Sequence, residues 1–226
     1  MKFTYYGQSC FAVEAGGKNL LFDPFITPNE LAKHIDISKI KADYILLSHG
    51  HQDHVADCVQ IAKQNNATVI AAFEVAMWVN QQGVEKYHPM NTGGKWDFDF
   101  GRVKCTNAVH SSVMPDGSYG ANPMGFIVTT KEKTFYYSGD TALTMDMQLV
   151  PRWGKPDFAV LPIGDNFTMG YEDAIIAAEM IQCKNIVGVH YDTFGFIKID
   201  HDKVKKAFAA AGLNLHLIKI GESIDI

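Results

Sequence analysis

Seven consecutive residues, Ser48-His49-Gly50-His51-Gln52-Asp53-His54, constrain this chain more than any other stretch, because they crowd three imidazoles and a carboxylate into a few positions. The apolar run Tyr44-Ile45-Leu46-Leu47 before them reads as a buried strand, and a helical pattern begins near Val55. Strand end, tight loop and helix start therefore follow one another. His49 and His51 can converge from an extended loop while Asp53 and His54 stand at the start of the helix. Neutral imidazoles and carboxylates are the usual ligands of first-row divalent metals, with Zn²⁺ the commonest occupant. Without a metal, four such groups side by side would each need some other partner.

The rest of the chain supplies partners for this stretch. Residues 2–23 read as a short meander with a Gly16-Gly17 turn, broken at Asp23-Pro24-Phe25. Helices are expected over 54–65 and 73–82, the second stopping at Gly83, with a short strand at 68–71 between them. A strand over 103–109 delivers His110 at its end. The loop 111–123 follows, rich in Gly, Pro and Ser, and is a candidate lid or pocket wall. A second hairpin, 125–130 with 134–138, then leads into Ser138-Gly139-Asp140-Thr141. A strand over 156–161, a helix over 170–181, a strand over 185–189 ending in His190, and a helix over 201–211 capped by Asp200 complete the pattern. A strand over 213–220 is expected to close it. Strands come first and αβ units later in both halves, so one domain over 1–226 with two similar halves is expected.

His110, Asp140 and His190 thus each follow a strand-like run, and side chains at strand ends along one sheet edge are where functional groups gather in α/β proteins. With His49, His51, Asp53 and His54 they make seven potential ligands, enough for two metals sharing one carboxylate. His34, His88, His201 and His216 have no such context and are expected at the surface.

Other function classes find little support. A formal net charge of −5 shows no basic excess of the kind nucleic-acid binding needs. No apolar run approaches the roughly 18 residues of a membrane span, and the N-terminus lacks a signal-like apolar segment. Cys10, Cys58, Cys105 and Cys183 are scattered without a CxxC pair, as expected for buried thiols in a cytoplasmic protein. No GxSxG elbow offers a side-chain nucleophile. A small-molecule substrate is expected, with no nucleic-acid or membrane partner, and homo-oligomer formation is left open.

The HxHxDH signature with its spaced His, Asp and His resembles the metallo-β-lactamase superfamily. Leu161-Pro162-Ile163-Gly164-Asp165-Asn166-Phe167-Thr168-Met169-Gly170 and His190-Tyr191-Asp192-Thr193-Phe194 resemble its UPF0173-type predicted metal-dependent hydrolases. The resemblance implies an α/β four-layer αββα sandwich. It implies that His49, His51 and His110 hold a first metal, that Asp53, His54 and His190 hold a second, and that Asp140 bridges them. Two divalent ions would then activate a hydroxide that attacks an ester, lactone, thioester, amide or phosphodiester, with Asp53 as the catalytic carboxylate. Zn²⁺ is the expected metal, and Mn²⁺, Fe²⁺ and Ni²⁺ also suit these ligands. Thr168, Met169, Tyr191 and Thr193 are expected to contact substrate. The alternative is a metal-dependent binding or sensing protein that keeps the site without turnover. Asp140 in place of Cys departs from the subclass B1 β-lactamases. The short chain after His190 leaves no room for the helical domain of the glyoxalase II branch.

Overall fold

Alternation of buried and exposed residues at the N-terminus produces three antiparallel strands, β1 (Lys2–Gly7), β2 (Cys10–Ala15) and β3 (Lys18–Phe22). In the computed structural model, which describes residues 1–226, the more continuously apolar β4 (Tyr44–Leu46) and β5 (Thr68–Ala72), and then the more exposed edge strand β6 (Tyr87–Met90), add in parallel to β3. Strands buried on both faces read this way because helices cover the outer side. Here the covering elements are α1 (Gln52–Val55), α2 (Cys58–Asn65) and α3 (Phe73–Gln81).

The second half repeats the plan. Antiparallel β7 (Lys95–Phe98), β8 (Gly101–Asn107), β9 (Met124–Thr129) and β10 (Thr134–Tyr137) are followed by parallel β11 (Phe158–Pro162), β12 (Asn185–Val189) and β13 (Asn214–His216). α4 (Val150–Trp153) precedes β11, and α5 (Tyr171–Met180) and α6 (His201–Ala210) run between the parallel strands. With a last short strand, β14 (Ser223–Asp225), the strand orders are 14-1-2-3-4-5-6 and 13-12-11-10-9-8-7, so the αββα sandwich expected from the resemblance is the architecture found. No helix is long and apolar enough to cross a membrane.

Aromatic rings lock the two sheets together. Phe3, Phe11 and Phe22 stack along the first sheet, with centroids 4.9 and 4.5 Å apart. From the second sheet Phe135 meets Phe22 edge-on at 5.8 Å, and Tyr137 meets Phe11 at 5.1 Å. All five rings are fully buried. Truncating any one to alanine would cost about 3–5 kcal/mol through lost transfer energy and the cavity left behind.

Three local expectations are corrected. The helix over 54–65 is two helices, α1 and α2, broken at Ala56-Asp57, because the Asp57 carboxylate turns back to accept from the amides of Ile26 and Thr27 at 2.6 and 2.9 Å. The strand over 213–220 stops at His216. The chain then crosses to the first sheet, where β14 (Ser223–Asp225) covers the free edge of β1. The strand before His110 ends at Asn107, so His110 projects from a loop.

Candidate metal centre

All seven sequence-predicted ligands converge at one edge of the sandwich. Potential ligand atoms of His49, His51 and His110 lie within 4.8 Å of one another, and so do those of Asp53, His54, Asp140 and His190. His49 Nε2 and His51 Nδ1 are 2.9 Å apart, which places these two nitrogens toward a common point. Asp140 Oδ2 is 3.1 Å from His54 Nε2, 3.0 Å from His190 Nε2 and 3.8 Å from His110 Nε2, so one carboxylate oxygen reaches both groups.

Strand ends deliver these side chains and short hydrogen bonds fix them. β4 ends just before Ser48. Gly139, with φ +63°, lets the loop after β10 press against that residue; a Cβ there would lie 3.1 Å from Ser48 Cβ and 2.7 Å from the Met124 carbonyl. Thr141 Oγ1 accepts from the Val109 amide at 2.9 Å, which ties the His110 loop to the Asp140 loop. His190 itself sits in the left-handed region with φ 55°, and its amide donates to the Gln8 carbonyl at 2.9 Å. A non-glycine residue held there costs on the order of 1–3 kcal/mol and persists only where its surroundings over-determine it.

Behind the ligands stands a residue that sequence reasoning did not single out. Asp23, fully buried at the end of β3, accepts from the Ser48 amide (2.8 Å), Ser48 Oγ (2.6 Å), His54 Nδ1 (2.9 Å) and Tyr137 Oη (2.5 Å). A carboxylate can only accept, so His54 Nδ1 carries a proton, and in the neutral ring it is the Nε2 lone pair that points into the cluster. Ser48 Oγ donates to Asp23 and lies 2.9 Å from His49 Nδ1, which sets His49 in the same way. Gln8, also missed, donates from Nε2 to Asp53 Oδ2 at 2.9 Å. The available signal was position: Asp23 ends the strand paired in parallel with β4, at the edge that carries the histidines.

Electrostatics divide the two groups. Burial pushes the fully enclosed His49 well below the ordinary imidazole value, and His54 beside it adds to the shift. Burial likewise lowers His51 and His110. His54 goes the other way. Burial opposes its charge, yet Asp140, Asp53 and Asp23 together hold it well above the usual value. Burial would raise Asp140 and Asp53, but His190 and His54 pull Asp140 down, and chiefly His54 pulls Asp53 down.

The donor set fits divalent ions. Buried His54 Nε2 and Asp140 Oδ1 make no hydrogen bond within the chain although both belong to the cluster. Orphaned buried polar atoms are rare in native folds, and inward-facing imidazole and carboxylate atoms are what a cation would satisfy.

The pocket above the cluster has a volume of about 230 Å³ and is lined by His51, Asp53, His110, Ser111, Asp140, Phe167, His190 and Phe194. None of the four expected substrate contacts is among them. Met169 is buried in the core under α5 and α6, because its amide and carbonyl are tied to Thr141 and Asp165. Thr168 is half-buried beside it. Tyr191 and Thr193 face a separate, larger cavity of about 450 Å³ that holds none of the seven donors; its wall includes Gln8, His201 and Leu217. His190 and Asp192 both take left-handed backbone, and Phe194 then returns to the wall of the metal pocket. Of the four histidines expected at the surface, His34 and His201 are exposed, while His88 and His216 are half-buried.

The loop 111–123 packs directly on the ligand loop. Ser112 Oγ accepts from the Gly50 amide at 3.0 Å, and a Cβ at Gly50 would lie 2.5 Å from Met114 Sδ.

Known proteins share the family and the fold of this chain. The family model described as "Beta-lactamase superfamily domain" matches residues 18–191. A UPF0173 metal-dependent hydrolase of Christiangramia forsetii is 55% identical over the full length of both chains, and one of Methylacidiphilum infernorum is 48% identical over 99% of each. Among solved structures, Igni18, a metallo hydrolase from the archaeon Ignicoccus hospitalis, superposes with a TM-score of 0.89 at 31% identity, covering 99% of this chain and 97% of its own.

Proposed function

We propose that this chain, which belongs to the metallo-β-lactamase superfamily as a UPF0173-type metal-dependent hydrolase, holds two divalent ions and hydrolyses a small-molecule ester, lactone, thioester, amide or phosphodiester. His49, His51 and His110 would hold the first ion, Asp53, His54 and His190 the second, and Asp140 both. The observation that carries this reading is the pair of donor groups with Asp140 Oδ2 within reach of each. Zn²⁺ suits an N/O set of this kind, as do Mn²⁺, Fe²⁺ and Ni²⁺.

Divalent ions in such a site supply Lewis acidity, which makes water nucleophilic at neutral pH and offsets the charge of an oxyanion. The chain's own groups do the rest. Asp53 is the less buried of the two carboxylates and borders the pocket, so it accepts the proton of the attacking water and passes it to the leaving group. Gln8 holds that carboxylate in place. Asp23 and Ser48 keep His54 and His49 in the tautomers that turn Nε2 inward, the usual role of outer carboxylates in metal sites.

Metal per chain by elemental analysis tests the assignment. Asp140→Ala should bind neither ion with wild-type affinity, His110→Ala should weaken mainly one, and His190→Ala mainly the other. All three should lose most hydrolysis. If Asp140→Ala keeps two tightly bound ions, the sharing role is wrong; if the wild type saturates at one, the dinuclear reading goes with it.

A further inference from the structure

The metal pocket is unusual in what surrounds its donors. None of its eight lining residues is Lys or Arg, and Ser111 is the only hydroxyl. The two remaining wall residues, Phe167 and Phe194, are 48% and 37% exposed. Phe196, 78% exposed, lies edge-on to Phe167 at 6.2 Å, and buried Phe25 backs Phe194 at 6.3 Å.

These rings are not loose. Phe167 stands at the tip of a turn whose Asp165 and Asn166 both take left-handed backbone, φ 64° and 56°. The Asp165 amide donates to the Met169 carbonyl at 3.1 Å, and the Met169 amide to the Thr141 carbonyl at 3.0 Å, so the turn is anchored beside Asp140. Phe194 is held by a loop closed around Asp192, whose amide donates to Ile197 at 2.8 Å and whose carboxylate takes the Ile199 amide at 3.0 Å and His201 Nε2 at 2.6 Å. Two over-determined loops therefore hold phenylalanines in water above the ligands. Burying such a side chain is worth roughly 1.5–3 kcal/mol, a gain available when a substrate covers it. Apart from any bound ions, the wall offers no Arg or Lys fork to hold an anionic group.

Resting on the hydrolase reading above, we propose that the substrate is an uncharged carbonyl compound carrying an aromatic or bulky apolar group, selected by Phe167 and Phe194. Water's oxygen bonds the carbonyl carbon, the bond from that carbon to the leaving atom breaks, and the proton goes to the leaving group. Among the bonds consistent with the donors, this favours carbonyl derivatives over phosphodiesters.

The test has two arms. Binding of phenylacetamide and of phenyl phosphate to the metal-free protein is followed by ligand-observed NMR. Phenylacetamide should bind, about tenfold more weakly to Phe167→Ala and Phe194→Ala, and unchanged to Trp153→Ala, which alters an exposed ring outside this pocket. In the second arm the metal-loaded protein is given p-nitrophenyl phenylacetate, p-nitrophenyl acetate and bis(p-nitrophenyl) phosphate. The phenylacetate should exceed the acetate in kcat/KM by about 10–100-fold, and either phenylalanine variant should collapse that ratio through KM. Faster turnover of the phosphodiester would overturn the proposal, as would a ratio untouched by both variants. Loss of self-association in the variants with unchanged probe binding would reassign the rings to a protein contact and also overturn it. If the loaded protein turns over none of the three, the hydrolase reading fails separately, and the binding arm alone decides what the rings recognise.

Discussion

Asp23→Asn is the most informative single change, because it keeps the shape of the side chain while reversing one of its faces. Asp23 Oδ1 takes the Ser48 amide, and Oδ2 takes Ser48 Oγ, His54 Nδ1 and Tyr137 Oη. If the amide oxygen stays on the Ser48 side, an NH₂ group faces three donors. Losing the two hydroxyl bonds at a net value of roughly 1 kcal/mol each predicts about 2 kcal/mol of destabilisation, since the imidazole can keep its bond by changing tautomer. The two hydroxyls can rotate away. The imidazole can only exchange tautomer, accepting at Nδ1 and moving its proton to Nε2, the atom turned toward the cluster. A ligand with a proton in place of its lone pair cannot bind a cation, so affinity for the ion held by His54 should fall by about 10–100-fold, the usual cost of losing an outer partner. Tyr137→Phe is the control: it removes one bond, costs about 1 kcal/mol, and leaves the tautomer alone. Chelator competition gives the affinities, long-range ¹H–¹⁵N NMR reads the tautomer, and chemical denaturation gives the stability. Wild-type affinity in Asp23→Asn, or equal loss in Tyr137→Phe, would refute the reasoning.

The two ions should part on acidification. His54 must lose its proton to ligate, and its value is raised, so affinity at its set should begin to fall above pH ~6.5; His49, His51 and His110 are lowered, so theirs should hold to below that value. Metal content after dialysis across a pH series should drop in two steps, and a single step shared by both ions would contradict this. Gln8→Leu removes the donor that holds Asp53, so kcat should fall about tenfold with metal content unchanged. Because Gln8 Oε1 has no partner, its loss should alter stability by no more than about 1 kcal/mol; a larger loss measured by denaturation would show that Gln8 is chiefly structural.

What the sequence displayed well was chemistry at strand ends. His110, Asp140 and His190 could be grouped with the opening motif because each residue type and its position after an apolar run carry the information locally. Asp23 also follows an apolar run, yet nothing local says which side chains it serves, and Gln8 carries no local signal. Asp23 bonds Ser48 and His54 in its own half and Tyr137 on the other sheet, and Gln8 bonds Asp53 and the His190 amide, so their partners lie far along the chain and meet only in the folded protein. The break between α1 and α2 escaped for the same reason, since Asp57 interrupts the helix to serve amides at Ile26 and Thr27. The cavity that Tyr191 and Thr193 face was not legible, because His190 and Asp192 take left-handed backbone and a histidine gives far less sign of that conformation than a glycine would.

The division of the site between the halves explains why it lies at the seam. His49, His51, Asp53 and His54 come from the first half, and His110, Asp140 and His190 from the second, so each donor group draws on both. Bound ions would therefore cross-link the sheets at one edge, adding RT ln(1 + [metal]/Kd), about 2.7 kcal/mol at a hundredfold excess over Kd. The aromatic layer between the sheets supplies more: Phe3, Phe11, Phe22, Phe135 and Tyr137 are fully buried, each worth on the order of 1.5–3 kcal/mol. The comparison decides the order of dependence. The sandwich stands on its aromatic core, and that core brings the ligands of the two halves within reach of one another. The Asp23–Tyr137 and Gln8–His190 bonds then set their angles before any ion arrives. Such a site is preorganised by packing, which is why substitutions outside the ligand set, such as Asp23→Asn, should weaken it.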